Sequence, residues 1–436
     1  MPADAQEFLE TIAPLLGWYY VAAGAANVAA AWRGGAGRKR AAAWLALAVV
    51  FFAAAAGSFG GRPPGMPDAL KSAIDGLLGP LSFSLGSLAV LAALYLGRRF
   101  FVVPAVAWTM LNASLLFLGL SLADAEFARV VLKPDNVPIV AMVYLLGFFV
   151  WLGAAQAVKN DERMARGEGP VEKQFAEPVL VWPDLVYIEL ISMVLLSVVL
   201  VAWSMVLRAP LEQPANPGVT PNPSKAPWYF LGLQEMLVFF DPAMAGVIFP
   251  GLIIFGLAAV PYLDRSPEGS GCYTIARRRP GYLIFLFGFL QLWILLIVIG
   301  TFFRGPNWNF FGPYEPRDPH RVLALNNVRL SEYFWVLGLG RALPQVPDGA
   351  GVLGRLGAVV WREVAGIVLL GLYFAALPAW LGRTALRKAR RNLGRARYWI
   401  MVLLLLMMLA LPLKMILRWT VSLSYVVSMP EYFFNF

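Results

Sequence analysis

Ten apolar runs, each near the roughly 20 residues needed to cross the hydrocarbon layer at 1.5 Å per residue, leave this chain little choice of architecture. They extend from Ala13 to Trp32, Ala41 to Gly60, Gly76 to Leu96, Phe100 to Leu122, Val137 to Val158, Leu185 to Leu207, Met244 to Leu263, Gly281 to Phe303, Val364 to Leu381 and Tyr398 to Leu413. In lipid each backbone polar group must be satisfied inside its own segment, so runs of this length form helices. The expected fold is all-α, a polytopic transmembrane bundle of about ten helices. Only 14% of the residues are charged, against roughly 25% in soluble domains.

The formal charge of +10 needs no nucleic acid to explain it, because the basic residues gather in alternate loops. Arg33, Arg38, Lys39 and Arg40 follow the first run, Arg98 and Arg99 the third, Arg277, Arg278 and Arg279 the seventh. The densest cluster, from Arg383 to Arg397, follows the ninth, and the loop of mixed charge from Lys159 to Asp184 follows the fifth. The positive-inside rule makes these loops cytoplasmic and, with an even number of crossings, puts both termini on the outer face. The long loops Arg208 to Ala243 and Arg304 to Glu363 then lie outside, and the acidic start Met1 to Glu10 lacks the pattern of a signal peptide.

Residue counts exclude much chemistry. One cysteine, Cys272, permits neither a disulfide framework nor a multi-cysteine zinc or iron–sulfur centre. One histidine, His320, cannot supply both ligands of a bis-imidazole haem. No metal site is expected in the chain itself; Cys272 reads as a free thiol, His320 as a surface hydrogen-bonder, and Lys414 and Arg418 as residues that snorkel to the headgroups or contact a partner, with no chemistry of their own.

The segment richest in chemistry is PANPGVTPNPSKAPWYFLGLQEMLVFFDP, from Pro214 to Pro242. Proline density through Pro227 favours an extended course, and the spacing that follows predicts a short amphipathic helix over Trp228 to Phe240. Trp228, Tyr229, Phe239 and Phe240 in it suit the membrane–water boundary. Glu235, seven residues after Trp228, falls on the same helical face, and Asp241 before Pro242 reads as a helix cap.

The runs WPDLVYIE, ANP and TPNPSKAPWYFLGLQE, with an apolar helix ending in PYLD, resemble the carboxyl-terminal half of cytochrome b, equivalent to subunit IV of the chloroplast cytochrome bf complex. The resemblance covers Trp182 to Phe303. It implies an outer quinol pocket at the family's PEWY motif, where Ala226, Pro227, Trp228 and Tyr229 stand here. Pro227 occupies the place of the family's proton-accepting glutamate and can accept no proton, so the family mechanism does not transfer unchanged. Two readings of Glu235 follow: a substitute proton acceptor, or a structural group paired with a cation such as Lys225. Glu189, near the start of its run, is either a contact in an inner quinone pocket or a snorkelling or interhelical polar group.

The resemblance divides the chain into an amino-terminal membrane module without haem-ligand pairs (1–165), a subunit IV-like core (166–305), and a long outer loop with two further helices (306–436). It implies a haem-free, quinol-binding subunit of a bacterial inner-membrane complex that passes electrons from menaquinol or ubiquinol to a c-type cytochrome or related acceptor, coupled to proton translocation. Haem b and an iron–sulfur cluster would reside in partners: a haem-bearing cytochrome b amino-terminal-type subunit, a Rieske protein and a c-type cytochrome, in a dimeric complex within the lipid bilayer. The rival reading is a structural membrane anchor with no quinol chemistry of its own. A secondary transporter is disfavoured because the runs are nearly free of midplane charge.

Overall fold

The computed structural model describes residues 3–33, 37–174, 178–206, 214, 216–218, 220–264, 271–323, 326–347, 349, 351–432 and 434–436. Ala215 of the ANP run, Leu207 and Arg208 lie outside the described residues. The principal helices are α1 (Ala3–Arg33), α2 (Arg38–Phe59), α3 (Asp68–Leu77), α4 (Pro80–Leu96), α5 (Pro104–Leu122), α6 (Val137–Ala165), α7 (Val181–Val206), α8 (Trp228–Met236), α9 (Met244–Leu263), α10 (Arg279–Phe303), α11 (Val352–Arg362), α12 (Val364–Leu381) and α13 (Arg395–Val421). Extended pairing is confined, among the described residues, to one two-residue antiparallel pair at the carboxyl end and two isolated bridges. The protein is thus an all-α, multi-pass membrane bundle.

Nine of these helices are long and apolar enough to cross a membrane among the described residues, and a tenth crossing is made if the bent pair α3–α4 counts as one. The expected third run is in fact broken: α3 and α4 meet at 92°. Proline disfavours helical geometry in the residue before it, so Gly79–Pro80 ends one helix, and Pro80 starts the next where its missing N–H is harmless. The Ser82 hydroxyl accepts the Gly79 N–H at 2.8 Å and so caps the new start. The tenth run is longer than its apolar core suggests. It continues to Val421 because Lys414, buried in α13, turns its amine onto the carbonyls of Leu423 and Ser424, which offsets the loss of water around a cation.

The chain forms two compact units, one of residues 1–73, 92–221 and 270–282, the other of residues 74–91, 222–269 and 283–436. In the first, α1 and α2 pack as a helical hairpin around Leu16, Tyr20, Ala48 and Phe51. Small residues permit the approach, and the critical ones are glycines: a Cβ at Gly17 would sit 2.6 Å from the Phe59 ring, and one at Gly119 of α5 2.6 Å from the Tyr20 ring. A buried polar triangle joins α1 to α5, in which Trp108 Nε1 donates to Asn27 Oδ1 at 3.0 Å and the Asn27 amide donates to Asn112. α7 is different, since none of Val186–Val206 is buried; a helix apolar on every side suits lipid or a neighbouring membrane chain.

The second unit is built on α10. Gln291 in mid-helix donates to the Ser84 carbonyl at 2.9 Å and to the Ser87 hydroxyl at 3.0 Å, both on α4. The rings of Phe83 and Phe303 lie 4.7 Å apart. Asp75 closes over Gly312 and accepts the Tyr314 N–H at 3.1 Å. Met236, Phe239, Phe240, Phe249, Leu296 and Leu411 belong to its largest apolar cluster. The carboxyl end is held by Arg362, which donates to Glu363 at 3.0 Å, to both oxygens of Glu431 at 2.7 and 3.0 Å, and to the Ser428 carbonyl at 3.0 Å. Gly366 of α12 lets the Val426 carbonyl come so close that a Cβ would lie 2.0 Å from it.

Candidate functional site

The described part of the proline-rich stretch before α8 turns at Pro217–Gly218 and bends at Asn222–Pro223 rather than running extended throughout, and the Gln234 side chain fixes its end. Its amide donates to the Ser224 carbonyl and its carbonyl accepts the Ala226 N–H, each at 2.8 Å. Asn222 accepts the Asn307 N–H at 2.7 Å and donates to the Asn307 side chain at 2.9 Å. The Lys225 ammonium donates to the Thr301 carbonyl at 2.9 Å. Pro227 takes the N-cap position, and helix begins at Trp228.

α8 is shorter than expected, ending at Met236, with turns carrying the chain on to Phe240. Its first three residues are open and the stripe that follows them is closed. Leu231, Gly232, Glu235 and Met236 are buried, and glycines on both helices allow α8 to lie against α10: a Cβ at Gly232 would stand 3.2 Å from Ile297, and one at Gly300 2.9 Å from Leu231. Trp228, Tyr229 and Phe230 are 40%, 49% and 53% exposed. Their rings make a continuous aromatic surface, with centroids 5.7 Å apart between Trp228 and Tyr229 and 4.7 Å between Tyr229 and Phe230.

Glu235 is fully buried, at 0% exposure. Arg304, immediately after α10, grips it in a two-pronged pair: Nε donates to Oε2 at 2.9 Å and Nη2 to Oε1 at 2.6 Å. Trp308 Nε1 donates to Oε2 at 3.0 Å, and Arg304 Nη1 donates to the Trp308 carbonyl at 2.8 Å. Asn307 and Trp308 both have positive φ, 56° and 57°, which folds the 305–309 turn back far enough to bring the indole onto the carboxylate. Burial pushes the Glu235 carboxyl above the ordinary glutamate value, and the Arg304 guanidinium, the Trp308 indole and the Lys225 ammonium oppose that push. The planar, permanently charged guanidinium is the group best matched to holding a carboxylate in such a place.

Every residue of this arrangement falls in one stretch of sequence. Residues 214–314 match the family model described as cytochrome b (C-terminal)/b6/petD. The resemblance read from the sequence holds over that stretch, somewhat under a quarter of the chain, with a further membrane module ahead of it. The match starts at 214 rather than at Trp182, and continues past Phe303 to include the Arg304–Tyr314 loop. The family is a component of cytochrome bc- and bf-type oxidoreductase complexes, and residues 214–314 of this chain are similar to it. No curated protein and no solved structure gives a significant match to this chain.

Of the residues singled out in the sequence, Pro227, Trp228, Tyr229 and Glu235 share one short helix and its cap; Trp228 stands on the same stripe as Glu235 two turns earlier, and at the helix start its ring is half exposed while the carboxylate is buried. Asp241 accepts the Ala243 N–H at 3.1 Å at the start of the next helix and also reaches the carboxyl end, where it accepts an Asn435 amide N–H at 2.8 Å. Glu189 belongs to the first unit, exposed on α7. His320 is exposed in the loop, where its backbone N–H donates to Asp318. Sequence reasoning missed Arg304, Trp308 and Gln234. The signal for Arg304 was present, because it is the first charge after a long apolar run that faces the loop bearing Glu235; Trp308 depended on a backbone turn that no pattern announced.

Proposed function

We propose that this chain is a haem-free, quinol-binding subunit of a cytochrome bc-type complex, moving electrons from quinol to a c-type cytochrome or related acceptor with coupled proton translocation. The observation that carries the reading is the exposed aromatic face of Trp228, Tyr229 and Phe230, held on a rigidly anchored helix inside the family-matching segment. An aromatic face of this size suits a flat quinol ring and its apolar tail. The Trp228 N–H and the Tyr229 hydroxyl can donate to quinol oxygens, and Pro227, with its fixed φ, sets the helix start that aims them. Because the face is open, the remaining walls come from partners: a haem-bearing cytochrome b amino-terminal-type subunit and a Rieske iron–sulfur protein. These partners supply haem b and the iron–sulfur acceptor, since one histidine and one cysteine provide neither.

Glu235 has two parts in this proposal. Paired as found, it anchors α8 and excludes water behind the aromatic face. Proton acceptance from quinol requires Arg304 and Trp308 to release one of its oxygens, and the locked geometry favours the anchoring part. It is also the feature that favours the rival reading, a structural anchor subunit without quinol chemistry. Glu189 as a contact for quinone at the other face rests on the sequence resemblance alone. In the membrane of a bacterial cell the basic loops face the cytoplasm and both termini the outside, with α3–α4 counted as one crossing.

The test uses the purified complex. A photoreactive menaquinol or ubiquinol analogue should label the 224–236 segment, and excess quinol should protect it; identified partner subunits and a haem b difference spectrum should accompany the chain. An unlabelled segment in an otherwise active complex rejects the quinol face and leaves the anchor.

A further inference from the structure

The helix α11, in the second unit, carries an apolar stripe that the chain leaves open. Val352, Leu353, Leu356 and Val360 are between 42% and 85% exposed, and their spacing of three and four residues sets them on one side of the helix. Val359 and Arg362, further round, are buried against the rest of the unit. α11 has two charges, Arg355 at the edge of the stripe and the buried Arg362 behind it. A contiguous row of large exposed aliphatics, on a helix already packed by its other flank, marks a surface for an apolar neighbour.

The place of α11 in the fold indicates which neighbour. It ends at Arg362 and the membrane span α12 begins at Val364, so a single residue separates it from a helix whose Ile367 and Val368 are exposed to lipid. The two helices are not one rod. Glu363 between them takes φ −94° and ψ 14°, and the Arg362 carbonyl accepts the Trp335 indole N–H at 2.9 Å, the place that the Gly366 N–H takes in a continuous helix. The rings of Trp335 and Trp361 lie 5.3 Å apart, which holds the end of α11 against residues 330–338. That stretch is tied in turn to the end of α13: the Leu330 N–H donates to the Tyr425 carbonyl at 2.9 Å, and the Tyr333 hydroxyl to the Val421 carbonyl. α11 is thus fastened where two spans end, on the side away from the basic loop between α12 and α13.

We propose that α11 lies in the plane of the membrane, at the edge of the hydrocarbon layer, with Val352, Leu353, Leu356 and Val360 set among the first acyl carbons of the phospholipids. A helix of 11 residues covers about 16 Å of that edge, and an amphipathic helix at this level sinks its apolar side roughly 5–10 Å below the headgroups. The stripe continues the lipid-facing surface of α12 around the break at Glu363. A protein partner is a poorer match, because the stripe offers no polar group to fix a register, and specific protein interfaces carry such bonds throughout.

The full chain in vesicles of phosphatidylethanolamine and phosphatidylglycerol provides the test. In a Cys272→Ser background, nitroxide labels on Leu353→Cys, Leu356→Cys and Val360→Cys should collide with oxygen, which concentrates in lipid, and escape a water-soluble nickel chelate. Labels on Gly354→Cys, across the helix, and on His320→Cys should show the reverse. In the unmodified chain, a phospholipid with a photoreactive group near the start of its acyl chain should label residues 352–360. Stripe labels open to the nickel chelate overturn the proposal by putting the stripe in water. Labels shielded from both reagents overturn it in favour of a second copy or another protein. A steady gradient of nickel access along α11, without alternation between its sides, overturns the in-plane placement.

Discussion

The Glu235–Arg304 pair gives a prediction whose sign depends on which side of it is removed. Both groups are buried, and the carboxylate receives two guanidinium bonds and one indole bond. Glu235→Ala leaves a guanidinium in a cavity without counter-charge, and Arg304→Ala does the same to a carboxylate. Removing one partner of a buried pair costs roughly 3–5 kcal/mol, whereas replacing both with apolar groups of similar size is often neutral. Each single variant should therefore lower the thermal midpoint of the purified complex and speed hydrogen exchange over 222–236, while the double variant Glu235→Leu/Arg304→Met should recover most of the loss. Quinol turnover then separates the two parts proposed for Glu235. A double variant that is stable and active assigns anchoring, and one that is stable but inactive assigns proton transfer. Two near-neutral single variants, or a double variant as unstable as their sum, would refute the reasoning.

Three further outcomes are expected. Trp228→Ala and Tyr229→Ala should raise the KM for quinol about tenfold, the size of an aromatic contact of ~1.5 kcal/mol, with the melting temperature unchanged because both rings are half exposed; unchanged KM in both would remove the aromatic face from the site. The Arg362 guanidinium holds the Glu431 carboxyl below the ordinary glutamate value, so Glu431 contributes stability above that ordinary value and loses it as pH falls through the lowered one. Acidification should accordingly free the 426–436 segment, read by hydrogen exchange, and Glu431→Gln should flatten the dependence. Gly366→Ala must displace the Val426 carbonyl, 2.0 Å from the added Cβ, so it should lower the thermal midpoint more than Gly300→Ala, where the nearest atom is a leucine side-chain carbon at 2.9 Å; overpacking of this kind typically costs roughly 1–3 kcal/mol.

The membrane crossings were legible because apolar length is a property of composition, and the bilayer tolerates few alternatives. What composition could not convey was the break at Gly79–Pro80, since the residues on either side of it, Gly76 to Leu78 and Leu81 onward, are apolar or small and the run reads through. The exposed pair Trp228 and Tyr229 was legible, but Phe239 and Phe240, which the same reading set at the membrane–water boundary, are buried in the apolar core because the helix ends at Met236. The partner of Glu235 was not, because Arg304 lies 69 residues away in sequence and a tight turn must also deliver Trp308. Local pattern fixes faces and ends of helices, while pairs between distant segments depend on packing that only the folded chain displays.

The bonds between Gln291 and Ser87 span 204 residues. A ribosome working at roughly 5–20 residues per second needs about 10–40 s to make that interval. During this time the two serines and Phe83 have been made but their partners have not, so the nascent α4 must rest in lipid or be shielded by the insertion machinery. Slowed translation between α5 and α10 would prolong that exposed interval, with consequences for yield rather than for the finished fold.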